Sequence, residues 1–282
     1  MALLRMLVTT LQTVSHTFYA DGDPVDAGGA VTVAVKRLDG TAVASGTATH
    51  ASVGTYTWPV TSAVLDTLTV DWTGSVGGST VTVRDIVEVV GDFFFGLAEV
   101  RDELGLPATI TDAKLAARRI QVEQECERIC RQAFVPRFAR EVFSGNDLQR
   151  IGLYWPRTRA IRAVSVTGTA WTAPQIAELG FSDAGVLRRP VGATWPAGQR
   201  NIVVEYEHGL DLPPQDIHDA SMLRLRSLLP RARSGVPDRT TSFTDPGGAV
   251  YRLSLPTATA TGVPDVDGAY AKWPGPRRIV TA

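Results

Sequence analysis

The stretch Thr111 to Phe134, TDAKLAARRIQVEQECERICRQAF, constrains the fold of this chain more than any other. It contains no Gly or Pro, and Pro136 stands just past its end, where a helix stop is expected. Leu115, Val122, Cys126, Ile129 and Ala133 follow one another at spacings of 7, 4, 3 and 4, which places them on one narrow face of a helix. Ala116, Cys130 and Phe134 widen that stripe, and Gln121, Gln124, Glu125, Arg128 and Gln132 fill the opposite side. Thr111 or Asp112 supplies the N-cap, because a short side-chain oxygen accepts from the free backbone N–H groups of the first turn. Such a helix must bury its stripe, so the flanking sequence has to provide the covering surface.

The sequence before it reads as all-β. Val31, Val33 and Val35 alternate with polar or small residues, and Asp39-Gly40 follows as a hairpin turn. Thr41 to Thr49 breaks at Ser45-Gly46, and Gly54 to Trp58 alternates again and is expected to stop at Pro59. Leu68 to Trp72 and Thr80 to Val90 read as strands around a Gly74 to Gly78 loop, with Val14 to Tyr19 in front. Short strands at this spacing predict an immunoglobulin-like β-sandwich over residues 1–91. The cysteine and tryptophan marks of antibody domains are missing, so the prediction concerns architecture alone. Tyr19, Tyr56, Trp58 and Trp72 are its aromatics; they read as core or strand-face residues, the alternative being a platform for a host glycan.

Phe93, Phe94 and Phe95 lie between Gly91 and Gly96 and cannot all face one way, so they are expected to divide between neighbouring surfaces. Residues 92–233 then predict a helical core with a small β-meander. Its strands are Pro136 to Phe143, Leu148 to Trp155, Ala160 to Thr167, Gly185 to Arg189 and Asn201 to Glu207. A second helix opens at Pro213-Pro214, where a missing N–H costs little, and carries Ile217, Ala220, Leu225 and Leu228 as its stripe. Residues 234–282 are rich in Pro and Gly and read as an extended tail with one hairpin near Ala249 to Leu255. The fold class expected is thus α+β multidomain.

The chemistry that can be excluded is informative. His16, His50, His208 and His218 are scattered and form no close metal pair, and no nucleophile-elbow or phosphate-loop motif occurs. Cys126 and Cys130 sit 4 apart on the central helix, a spacing whose backbone geometry does not favour a disulfide, with no further Cys to complete a metal set. No catalytic, metal or cofactor residue is therefore assigned, and no enzymatic activity is expected. The net charge of −1 argues against phosphate neutralisation as the main task. No apolar run is long enough to span a bilayer, and Met1 to Val8, interrupted by Arg5, lacks the form of a signal peptide, so the chain is expected to stay in the cell that makes it. Tyr270, Lys272, Trp273, Arg277 and Arg278 combine aromatics and cations with no local core in view. They read as a segment that orders on a partner, with Tyr270 and Trp273 as anchors.

Four stretches, taken in order, carry a family resemblance: LYWPRTRAIRAVSVTG from Leu153 to Gly168, GVLRR from Gly185 to Arg189, WPAGQRNIVVEYEHG from Trp195 to Gly209, and LPPQDIHDA from Leu212 to Ala220. With a short helix expected over Leu97 to Leu104, ended by Gly105 and Pro107, and the central helix before them, they make Leu97 to Ala282 resemble the head-to-tail connector, or adaptor, proteins of long-tailed bacteriophages and gene transfer agents. The N-terminal third lies outside the resemblance.

The resemblance implies a structural virion protein in the neck between capsid and tail, present in the host cytoplasm during assembly. It implies a ring of copies, commonly a dodecamer, beneath the portal protein, with a stopper or tail-completion protein on the other face and DNA passing through the lumen without sequence-specific binding. It implies no cofactor and no membrane partner. Tyr270, Lys272, Trp273, Arg277 and Arg278 become the expected portal-docking residues, so removing Tyr270 to Ala282 is expected to abolish docking with the fold intact. A closed ring needs unlike faces to meet, and Glu123, Glu127, Arg128 and Arg131 on the polar flank of the central helix become its expected subunit interface. Leu115, Val122, Cys126 and Ile129 remain the intrachain helix core. A surface-binding module mounted on the neck, or a stopper or tail-completion role, are the alternatives.

Overall fold

The computed structural model describes residues 3–229, 242–244, 250–252, 257 and 260–275. The N-terminal part contains β1 (Leu3–Leu7), β2 (Leu11–Thr17), β3 (Tyr19–Ala20), β4 (Asp23–Pro24), β5 (Thr32–Arg37), β6 (Ala42–Thr47), β7 (Thr49–Ser52), β8 (Thr55–Thr61), β9 (Asp66–Val76) and β10 (Ser79–Val90). One sheet has the order β1-β10-β9-β5-β6 and a second the order β2-β8-β7. Val33, Val35, Leu68, Val70, Trp72, Val87 and Val89 from the first meet Val14, Tyr56 and Val60 from the second in one buried cluster. Period-two alternation drives this: a side chain at every second position faces the shared core.

Three local expectations change. Gly74 to Gly78 is not a loop, because β9 continues to Val76 and turns only at Gly77 and Gly78, which take the positive φ of 58° and 81° that a two-residue hairpin needs. Pro59 does not end its strand. It lies inside β8 opposite Thr13, and β7 pairs with β8 only as far as Thr57, so one side of Pro59 is open and its missing N–H interrupts no ladder there. Met1 to Val8 contains β1, whose residues Leu3 to Leu7 pair in parallel with Ile86 to Val90.

The second part contains α1 (Leu97–Leu104), α2 (Asp112–Cys130), β11 (Arg137–Gly145), β12 (Arg150–Gly152), β13 (Thr158–Val166), β14 (Thr169–Ala170), α3 (Ala173–Ala177), β15 (Gly180–Phe181), β16 (Val186–Arg188), β17 (Gly198–His208) and α4 (Gln215–Leu228). Four strands form an antiparallel sheet in the order β11-β17-β13-β14, and three form a smaller one, β12-β16-β15. Both rest on a cluster of Ile151, Leu153, Val164, Leu187, Trp195, Ile202, Val204 and Tyr206. Trp195 is stacked on Trp171 at 5.4 Å, and Tyr206 donates its hydroxyl proton to Glu141 while accepting the Trp155 N–H at 3.1 Å.

Thr111 caps α2, its hydroxyl accepting from the Lys114 N–H at 3.4 Å. Leu115, Val122, Cys126 and Cys130 are buried against Val100 of α1 and Ile217, Ala220, Met222 and Leu225 of α4, with Ile129 half-buried beside them. The helix ends at Cys130, one turn short of Phe134, because Arg131 takes the left-handed conformation at φ 54°. The remaining described elements are an antiparallel pair, β18 (Ser242–Thr244) and β19 (Val250–Arg252), and α5 (Pro264–Ala271).

The helix α5 overturns the reading of its segment as an unanchored tail. Asp267 fixes its start by accepting the N–H and hydroxyl of Thr261, at 2.6 and 2.8 Å. Val266 and Tyr270 are buried in the helical core, and Trp273 packs on Phe134 edge to face at 5.9 Å. The chain then closes the open end of α2: the Gly275 N–H donates to the Cys130 carbonyl at 2.7 Å. Gly is required there, because a Cβ at position 275 would stand 2.6 Å from the Cys130 oxygen.

Candidate functional site

Among the described residues a dense cluster of charge is buried where the N-terminal sheet, α2 and β11 meet. Arg5 enters from β1, an edge strand that parallel pairing with β10 holds against α2. Its Nε donates to Glu88 at 2.7 Å, its Nη1 to Glu123 at 2.6 Å and its Nη2 to Glu127 at 3.1 Å. Arg137, at the start of β11, donates to Glu127 at 2.9 Å and to Glu123 at 3.3 Å. The second oxygen of Glu123 accepts the Phe94 N–H at 2.9 Å, which orients the run of three phenylalanines. Burial pushes the Glu127 carboxyl up, but Arg137 and Arg5 outweigh it and hold the group below its ordinary range. The carboxylates of Glu123 and Glu127 are four residues apart on one helix face, so two guanidinium groups approaching from different strands bridge both.

This arrangement corrects the expectation for two interface residues. Glu123 and Glu127 are 0% and 7% exposed and engaged within the chain, so neither is presented to a neighbouring subunit. A helical wheel places them on the polar flank, but the flank is covered by β1, whose partner role depends on Arg5, 118 residues away from Glu123. Arg128 and Arg131 are exposed.

The expected docking residues are divided. Tyr270 is 1% exposed within the core and is no free anchor. Trp273 is half-buried and donates its indole N–H to the Asp216 carboxylate at 3.0 Å, while its carbonyl accepts from Gln132 at 3.1 Å. Lys272 is exposed, and Arg277 and Arg278 lie outside the described residues. Removing Tyr270 to Ala282 would therefore strip the helical core as well as any docking segment.

The three phenylalanines split. Phe94 and Phe95 enter the helical core, and Phe93 lies under the Arg119 guanidinium, 3.3 Å from the ring centroid. Of the N-terminal aromatics, Tyr56 and Trp72 are buried, Trp58 packs beside Gly46, and Tyr19 is exposed, so they form no common platform.

The histidines do not converge. His16 contacts Asp85 at 3.0 Å, His50 contacts Asp26 at 2.8 Å, and His218 bridges Glu99 and Asp219, each at 3.0 Å. His208 is buried and stacked on Trp155 at 5.2 Å, and burial lowers its pKa to about 3. The Cys126 and Cys130 sulfurs are 4.0 Å apart and unbridged, with burial raising the Cys126 thiol pKa. Among the described residues no group of His, Cys, Asp and Glu has the geometry of a metal site, and no helix is long and apolar enough to cross a membrane.

No family model matches the chain, and no curated protein matches it significantly. Among solved structures, a chain in the neck of an empty GTA particle, computed with C6 symmetry, is similar with a TM-score of 0.47 at 16% identity, over 67% of this chain and 92% of that one. A chain in the virion of a native gene transfer agent particle is similar with a TM-score of 0.44 at 16% identity, over the same shares of 67% and 92%. At these scores the two chains are similar to this one without establishing a common role.

Proposed function

We propose that the chain is a structural subunit of the neck of a phage-like particle, acting as the head-to-tail adaptor. The observation that carries this reading is the order of elements from Leu97 onward together with the motifs they bear. A short helix α1 and a long α2 are followed by the antiparallel strands β11, β13 and β17 and by α4, which starts immediately after Pro213-Pro214. The stretches Leu153 to Gly168, Trp195 to Gly209 and Leu212 to Ala220 that resemble the adaptor family form β13, β17 and the start of α4.

In this role the protein works by assembly. Copies form a ring, twelve in the family pattern, joining the portal protein to a stopper or tail-completion protein. A lumen that is not strongly basic lets DNA pass, since each phosphate held by a cation would slow transit. The two-sheet N-terminal part is read as an immunoglobulin-like appendage on the ring periphery. With Glu123 and Glu127 committed inside the chain, the exposed Arg128 and Arg131 remain as contacts to the next subunit. Docking to the portal falls to Lys272 and the segment with Arg277 and Arg278, beyond the core-bound Tyr270 and Trp273.

The experiment is reconstitution with the portal ring of the same particle. The full chain is expected to bind as a ring, and a chain truncated after Gly275 is expected to keep its melting temperature but lose portal binding. Undiminished portal binding by that truncation sinks the docking assignment. A cryo-EM map placing the protein at the tail tip or on the capsid surface sinks the adaptor reading, and one placing it a layer lower makes it the stopper.

A further inference from the structure

The small sheet β12-β16-β15 carries a hollow of about 440 Å³ on its outer face, lined by Arg150, Gly152, Gly180, Ser182, Val186 and Arg188. Two cross-strand rows build it. Arg150 pairs with Arg188, which pairs with Gly180, and Gly152 pairs with Val186, which is bonded to Ser182. The alternate residues Ile151 and Leu187 point the other way and are buried in the core beneath. Glycine at one end of each row leaves a trough with an aliphatic floor at Val186 and two guanidinium groups along one wall. Ile151 and Phe181 also line the hollow, and Phe181, 44% exposed, is the cross-strand partner of Leu187 on the other face of the sheet.

The charge on this wall is set by two arginines that neighbour each other across the strands. Ten other arginines, among them Arg5, Arg84, Arg101, Arg140, Arg162 and Arg224, sit within 4.0 Å of a carboxylate. Arg150 and Arg188 have no carboxylate partner among the described residues and face each other directly across two strands. Like charges opposite one another destabilise a strand pair, and an anion between them reverses that sign. Guanidinium forks match carboxylate oxygens two by two.

We propose that this trough is a docking site for an extended, acidic segment of a partner protein. Carboxylates would engage Arg150 and Arg188, and a neighbouring aliphatic side chain would lie over Val186. The size falls within the range of sites that enclose a few side chains. A protein segment fits better than nucleic acid. Two cations neutralise about two phosphates, too few to hold a duplex at physiological salt, whereas an aliphatic floor gains from an apolar side chain that a sugar-phosphate strand lacks.

The test titrates the ¹⁵N-labelled full chain with an acetylated heptapeptide containing Glu-Leu-Glu, its Gln-Leu-Gln counterpart, a twelve-base-pair duplex and sodium phosphate. The acidic peptide is expected to shift the amides of Gly152, Gly180 and Val186 and the Nε–H signals of Arg150 and Arg188. It should bind at least tenfold tighter than the Gln peptide, and Arg150→Gln with Arg188→Gln should remove the response. Both arginines are exposed, so this variant is expected to melt at the wild-type temperature or higher. Equal response to the Gln peptide, absence of any shift, or binding retained by the double variant overturns the proposal. Tighter binding of the duplex reassigns the trough to nucleic acid and overturns it too. A response to phosphate equal to that of the peptide reduces the trough to a simple anion site and likewise overturns it.

Discussion

Replacing Arg5 by Met tests whether the buried charge cluster joins the two parts of the molecule. Met matches much of the aliphatic stem of Arg5, so the change removes a guanidinium with little loss of packing. Arg5 faces Glu88, Glu123 and Glu127 at 2.7, 2.6 and 3.1 Å. Glu88 is partly solvated and its share is small. Glu123 and Glu127 are buried, and without Arg5 they share a single cation, Arg137. Breaking a buried pair from one side costs about 3–5 kcal/mol, because a charge is left uncompensated in a low dielectric. For a chain of this size that corresponds to a fall in Tm of roughly 6–20 °C.

The pH dependence separates charge from packing. In the native protein Glu127 is held below its ordinary pKa, so its contribution is present above the unfolded value and lost as pH falls through the folded one. Without Arg5 one carboxylate of the pair is raised above its unfolded value, and the folded variant takes up a proton that the unfolded chain does not. Its stability then rises as pH falls toward 5, so the deficit against wild type is larger at pH 7.5 than at pH 5.5. Urea unfolding at both values, followed by tryptophan fluorescence and far-UV circular dichroism, reads it. A deficit under about 1 kcal/mol at both pH values, or one independent of pH, refutes the reasoning.

Gly275→Ala sets a Cβ against the Cys130 carbonyl and should cost about 1–3 kcal/mol, with hydrogen exchange rising in the last turn of α2; unchanged exchange there would show that the closure contributes nothing. His208 has a folded pKa of about 3 and an ordinary unfolded one, so the unfolded state binds the proton first and stability falls as pH drops from about 6.5 toward 3. By pH 5 the loss is about 2 kcal/mol, and His208→Phe, which keeps the stack on Trp155, should remove that component of the acid unfolding curve. Cys126 and Cys130 should react with a thiol reagent only at the rate of opening, and prompt modification of the native protein would contradict their burial.

The elements that are legible in the sequence are those whose signal is local. The stripe from Leu115 to Ile129 outlines α2, the prolines before Gln215 mark the start of α4, and the alternation at Val31, Val33 and Val35 outlines β5. What escapes are roles assigned by residues far away along the chain. Glu123 and Glu127 look like solvated helix positions until β1 brings Arg5 to them, and nothing near Met1 announces a parallel pairing with residues 86–90. Tyr270 and Trp273 stand among Pro and Gly in a stretch too short to show a helical stripe, yet a helix of eight residues returns them to α2 and α4. The trough between Arg150 and Arg188 is hidden for the same reason: only strand register makes two arginines 38 positions apart into neighbours.

The closure of α2 by Gly275 also orders events in time. A chain made from its N-terminus can pair β1 with β10 as soon as residue 90 is free, so the two-sheet part can fold early. The helical core cannot follow at once. Until residues 264–275 have been made, the sites on α2 and α4 that receive Val266, Tyr270 and Trp273 stay open, and the Cys130 carbonyl lacks its donor. The molecule thus passes through its synthesis with its N-terminal third complete and the helical core carrying an exposed apolar groove, and that interval is when it is most open to association with the wrong surface.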